Sequence, residues 1–181
     1  AGTPGPTPGR LLAVTDARRD VETSDPLAAA FPRTSETLDS VLDVQTTTVA
    51  GQQSCRTMDF PLVVQPTTDV AMQDLLDWLA KQSRDLVSRA RSHGAVLFRD
   101  FPLRTAEDFD SFIAAFQLEN FPYAESLSNA VRMNRTERVF TANESPPEVK
   151  IYLHHEMAQT PVYPSHLFFF CEQPAASGGA T

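Results

Sequence analysis

Two histidines and a glutamate stand together in the run "IYLHHEMAQT", at His154, His155 and Glu156. Imidazole nitrogens and carboxylate oxygens are ligands for iron, zinc and related cations, so this stretch carries the clearest metal chemistry in the chain. Spacing decides which of these side chains can share an ion. On extended backbone successive side chains alternate, so Tyr152, His154 and Glu156 share one face while Ile151, Leu153 and His155 share the other. On a helix His154 and Glu156 would lie about 200° apart around the axis and could not converge. The metal reading therefore requires a strand. An imidazole and a carboxylate at i and i+2 supply two ligands of a 2-His-1-carboxylate triad, which leaves coordination positions open for a co-substrate and dioxygen. By itself H-x-E has low specificity, because a surface pair or a hydrogen-bonded core histidine has the same spacing.

The elements that must position these residues begin near residue 55, where composition shifts. Residues 1–54 hold Pro4, Pro6 and Pro8, then Ser, Thr and Asp between short apolar pieces with no sustained period. They read as an extended or loosely packed arm, with docking through Leu27, Phe31 and Leu42 as the alternative. Residues 55–181 read as a folded domain. "DFPLVVQP" is a short strand bounded by Pro61 and Pro66. "TTDVAMQDLLDWLAKQSRDLVSRARSHG" is a helix capped by Thr68 or Asp69 and stopped at Gly94. Its apolar face is built from Leu75, Leu76, Leu79, Leu86, Val87 and Ala90, with Trp78 joining the core. "AVLFRDF" is a strand, and "TAEDFDSFIAAF" is a second helix capped by Thr105, with Glu107 and Asp108 in its first turn. Two further strands, "VKIYLHHE" and "SHLFFFCE", complete the set. The continuous run Phe168, Phe169, Phe170 suits a strand covered on both faces. The expected class is mixed α/β, with helices and strands leading into a mainly β core.

Composition limits the function. The chain has 181 residues, a formal charge of −8 and a pI near 4.9. That acidity argues against a nucleic-acid binder, since phosphate backbones are gripped by clustered Lys and Arg. Cys55 and Cys171 each lack a cysteine neighbour in sequence, which argues for a reducing, cytoplasmic setting over a disulfide-stapled scaffold. No apolar run is long enough to cross a bilayer, and "AGTPGPTPGR" lacks the order of a signal peptide. The expectation is a chain that binds neither membrane nor nucleic acid. The triplets at Asn134 and Asn143 match glycosylation spacing, but such short motifs are common by chance.

Taken together, "SHGAVLFRDF", "TAEDFDSFIAAF" and "TANESPPEVKIYLHHEMAQTPVYPSHLFFFCEQPAASGGAT" resemble the taurine-dioxygenase-like family of Fe(II)/2-oxoglutarate oxygenases, from about Phe60 to Thr181. The likeness is to members with an H-x-E motif, of the clavaminate synthase and syringomycin aspartyl hydroxylase type. The resemblance implies a double-stranded β-helix, or jelly roll, that is incomplete in this chain. It implies Fe(II) held by His154 and Glu156, and 2-oxoglutarate contacted by Thr181 of the turn Gly178-Gly179-Ala180-Thr181. Asn143, in the loop before the motif, is the candidate substrate contact. Local chemistry is compatible: paired glycines let backbone pass close to a ligand, and a following hydroxyl can bond a carboxylate. A plain surface turn is the alternative use of such a pair. His155 faces away from the metal by alternation, His155 and His166 read as structural, and His93 as a cation would favour the end of the first helix.

The resemblance further implies a reaction with dioxygen that hydroxylates an unactivated C–H bond of an amino-acid-like substrate, free or tethered to a carrier protein. Related halogenases replace the acid of the triad by a small residue, whereas Glu156 is retained here, which favours hydroxylation. Members also use a second histidine and a 2-oxoglutarate-binding arginine, both downstream of the G-G-x-T turn. Arg132, Arg135 and Arg138 precede the motif and do not match that position. The expectation is therefore that the polypeptide continues beyond Thr181 and that its remainder supplies both residues. A non-catalytic binding or regulatory module on the same fold is the alternative function. A zinc hydrolase ranks third, because its usual ligand spacings are missing.

Overall fold

A computed structural model describes residues 10–15, 42–55, 58–121, 132–142, 149–150, 152, 154, 161, 163–172 and 174. The strands are β1 (Arg10–Thr15), β2 (Val44–Thr47), β3 (Gln53–Cys55), β4 (Met58–Phe60), β5 (Leu62–Pro66), β6 (Val96–Phe98), β7 (Val139–Thr141) and β8 (His166–Cys171). The helices are α1 (Met72–His93) and α2 (Ala106–Ala115). These strands and helices make the fold mixed α/β, as the sequence predicts.

Helix α1 buries Leu75, Leu79, Ser83 and Leu86 along one stripe, as a period near 3.6 residues requires. It ends at Gly94, whose φ of 83° is the left-handed conformation that a glycine adopts without steric cost. Its start differs from the sequence expectation: the N-cap is Ala71, with no side-chain cap, and not Thr68 or Asp69. The cause lies in the preceding turn. Thr67 donates from its backbone N–H to the Asp43 carbonyl at 3.1 Å and from its hydroxyl to the Asp43 carboxylate at 3.1 Å. Chain leaving β5 is thereby held against the end of β2, and the helix begins only after that turn. Helix α2 follows the expectation, with a capping box in which Asp108 N–H donates to Thr105 Oγ1 and Thr105 N–H to the Asp108 carboxylate.

Parallel strands need a long crossover, and α1 provides it between β5 and β6. β2 adds to the other edge of β5 in antiparallel register, giving the order β2-β5-β6. β3 and β4 form a separate antiparallel pair. The remaining sheet has the order β7-β1-β8, antiparallel throughout, with Leu11 opposite both Thr141 and Phe170. Residues 10–15 and 44–47 of the expected arm therefore lie in sheets, and Leu42 is buried in the core. Leu27 and Phe31 lie outside the described residues.

The core is aromatic at its centre. Phe98 packs edge-on against Phe112, Phe116 and Phe101, with centroids 5.1, 6.4 and 5.7 Å away, and Trp78 stacks on Phe101. β8 joins through alternate residues only: Phe168 meets Phe116 and Phe170 stacks on Phe109. Leu167, Phe169 and Cys171 point the other way, and Phe169 is 67% exposed. This corrects the reading of Phe168–Phe170 as a strand covered on both faces. Among the described residues only one face of β8 meets a packing partner, so a run of three phenylalanines splits by pleat. Among the described residues no helix is long and apolar enough to cross a membrane.

Candidate functional site

The site is approached along the polypeptide between β7 and β8. β7 leaves the core with Val139, Phe140 and Thr141 all buried. Thr141 closes the preceding turn: its N–H donates to Met133 O at 2.9 Å and its hydroxyl accepts from Met133 N–H at 3.0 Å. The strand expected over "VKIYLHHE" does not appear among the described residues, since Val149, Lys150, Tyr152 and His154 lie in irregular backbone. Alternating side chains specify faces, but a strand also needs a ladder partner. Among the described residues β8 is paired only with β1, and none is paired with this segment. Neither Tyr152 nor His154 is helical, so the arrangement that would separate positions 154 and 156 does not occur at these two residues.

His154 is exposed, and its Nδ1 lies 2.7 Å from the carbonyl oxygen of Tyr152. A carbonyl only accepts, so Nδ1 carries the proton. In the neutral ring the remaining lone pair is then on Nε2. Metal-binding imidazoles are oriented in the same way, by a hydrogen bond at one ring nitrogen. The sequence reading missed it because the partner is a backbone carbonyl, which every residue possesses. Nearby, the Lys150 ammonium sits 5.2 Å over the Tyr152 ring. Glu156, Thr181 and Asn143 lie outside the described residues, as does His155. Among the described residues no group of three or more His, Cys, Asp or Glu is gathered as a metal site.

Among the described residues, His93 and His166 also make hydrogen bonds within the protein. His93 Nδ1 donates to Asp59 O at 2.8 Å, which ties the end of α1 to β4. His166 Nδ1 is 2.9 Å from the Ser165 hydroxyl at the start of β8. The three arginines before the motif each face a protein group. Arg132 lies over the Phe140 ring, Arg135 approaches Glu172 at 3.9 Å, and Arg138 reaches the Asp110 carboxylate at 3.3 Å. Asp110 was not singled out in sequence, because its partners are 26 and 28 residues away and no local pattern announces them.

Residues 59–181 match the family model described as taurine catabolism dioxygenase TauD, TfdA family. The chain is similar to a clavaminate synthase-like protein of Arabidopsis thaliana, 38% identical over 141 residues that make up 75% of this chain and 42% of that protein. It is also similar to a dapdiamide synthesis protein of Enterobacter agglomerans, 31% identical over 88 residues, 49% of this chain and 26% of that protein. The chain thus matches less than half the length of either curated relative.

Proposed function

We propose that this chain, which belongs to the taurine catabolism dioxygenase TauD, TfdA family, forms part of an Fe(II)- and 2-oxoglutarate-dependent oxygenase that hydroxylates an unactivated C–H bond. The observation that carries the reading is the match of residues 59–181 to the family model, which spans His154 and, two residues on in sequence, the carboxylate of Glu156. His154 and Glu156 would hold the iron, and the Thr181 hydroxyl would bond a carboxylate oxygen of 2-oxoglutarate. Bound iron with 2-oxoglutarate would supply the dioxygen activation that a C–H bond of low reactivity requires. The chain's own residues would hold and orient these groups and exclude wrong substrates. Asn143 is the proposed substrate contact.

A facial triad has one more ligand, and this reading assigns the second histidine and the 2-oxoglutarate arginine to polypeptide beyond Thr181. The β7-β1-β8 sheet would belong to a jelly roll that the whole protein completes. An amino-acid-like substrate, free or carrier-tethered, is supported by the likeness to clavaminate synthase-like and dapdiamide synthesis proteins. The low cysteine count supports a cytoplasmic location. The test is oxygen uptake and succinate release by the full-length protein with ferrous iron and 2-oxoglutarate, across free amino acids and carrier-bound aminoacyl groups. Substrate-stimulated succinate release is expected. Absence of turnover across the whole panel would instead favour a binding module on the same fold.

A further inference from the structure

The metal reading needs His154 and Glu156 to project from the same side of the chain, and among the described residues no strand pairs with this segment. Local contacts can supply part of what a ladder would. Two are present, and they meet at Tyr152. The Lys150 ammonium lies 5.2 Å from the centroid of the Tyr152 ring, and the Tyr152 carbonyl oxygen accepts from His154 Nδ1 at 2.7 Å. Each contact joins residues two positions apart.

That spacing gives the first contact its meaning. On a helix, side chains two residues apart lie about 200° apart around the axis and do not touch. On extended backbone they stand on one side, and the Lys150 ammonium and the Tyr152 ring do meet. Their contact therefore favours the course of the chain that the metal reading requires. Burial contributes little to holding the ring, because Tyr152 is 71% exposed. An ammonium over the face of a tyrosine is attracted by the ring quadrupole, which at an exposed site biases the population about two- to five-fold toward the contact.

We propose that Lys150 and the Tyr152 ring are positioning residues: their contact favours the orientation of Tyr152 that aims its carbonyl oxygen at His154 Nδ1, and so helps to set the His154 ring. The inference rests on the reading of His154 as an iron ligand. A lysine acting on the site only through its charge would have the opposite effect. As a like charge it repels Fe(II), so its removal would tighten iron binding. The sign of the change separates the two roles.

The test uses full-length protein and ferrous iron alone, titrated without oxygen, with nitrogen NMR of the His154 ring in the iron-free protein. Lys150→Gln and Tyr152→Leu should each raise the Fe(II) dissociation constant about two- to five-fold and lower the fraction of His154 that carries its proton on Nδ1. Tyr152→Phe keeps the ring and Lys150→Arg keeps the cation, so both should retain wild-type values. The double variant should lose no more than either single one, because the same contact is removed in each. Tighter or unchanged iron binding in Lys150→Gln would overturn the proposal, as would losses that add in the double variant. Failure of the wild-type protein to bind iron would remove the proposed function by itself, and the iron-free ring would then decide. A proton that leaves Nδ1 in Lys150→Gln and Tyr152→Leu, but stays in Tyr152→Phe, would keep the positioning role; one that stays in every variant would overturn it.

Discussion

At the residue scale, the candidate site turns on one proton. A histidine whose Nδ1–H is held by a carbonyl has its ring orientation fixed, and His154 meets that condition through Tyr152 O. Substituting His154→Ala should reduce iron-dependent turnover by more than about 100-fold, above the loss typical of an outer-shell partner, while circular dichroism stays unchanged because the side chain is exposed. Two backbone positions give sharper stability tests. Asp100 has φ of 60°, a conformation that carries a steric cost for any residue with a Cβ. Asp100→Gly should therefore be neutral or stabilising by up to about 1 kcal/mol in chemical denaturation. Gly94 is the converse. Its φ is 83°, and an added Cβ would lie 3.0 Å from Cδ2 of Phe60. Gly94→Ala should destabilise by more than about 1 kcal/mol, because strain at the helix end adds to a crowded ring.

At the element scale, stability depends on how the helices are closed and on which face of β8 is covered. The capping box of α2 joins Thr105 and Asp108 reciprocally, and Thr105→Ala should cost about 1 kcal/mol. At the other end, the buried Ser83 hydroxyl donates to Phe116 O at 2.6 Å, satisfying a carbonyl that the helix itself leaves unpaired. β8 offers a contrast within three consecutive residues. Phe168 meets Phe116 edge-on and Phe170 stacks on Phe109, whereas Phe169 is mostly exposed. Alanine at 168 or 170 should cost about 2–4 kcal/mol, and at 169 less than about 1 kcal/mol. Equal costs at all three positions, measured by denaturant midpoint, would contradict the observed pleat.

At the scale of the whole molecule, what was legible in the sequence was what is local. The apolar spacing of α1, the stop at Gly94 and the Thr105 cap are each written within one or two turns of chain, and they appear where expected. The late start of α1 was not legible, because it depends on Thr67 bonding Asp43 across 24 residues. Nor was the place of β1 between β7 and β8: residues 10–15 carry too short a pattern to name partners more than a hundred residues away. The same distinction applies to the site. His154 is legible from residue type and spacing, but the hydrogen bond that fixes its ring comes from a backbone carbonyl. Residues 59–181, which match the family model, include both helices and the His154 segment.

The central claim is that the His154 imidazole holds iron beside 2-oxoglutarate. Its most direct test is the visible charge-transfer absorption of Fe(II) chelated by 2-oxoglutarate, recorded without oxygen on the full-length protein. The wild-type protein should develop this band at one iron per chain, and His154→Ala should lose it under the same conditions. A band of undiminished intensity in His154→Ala would contradict the assignment.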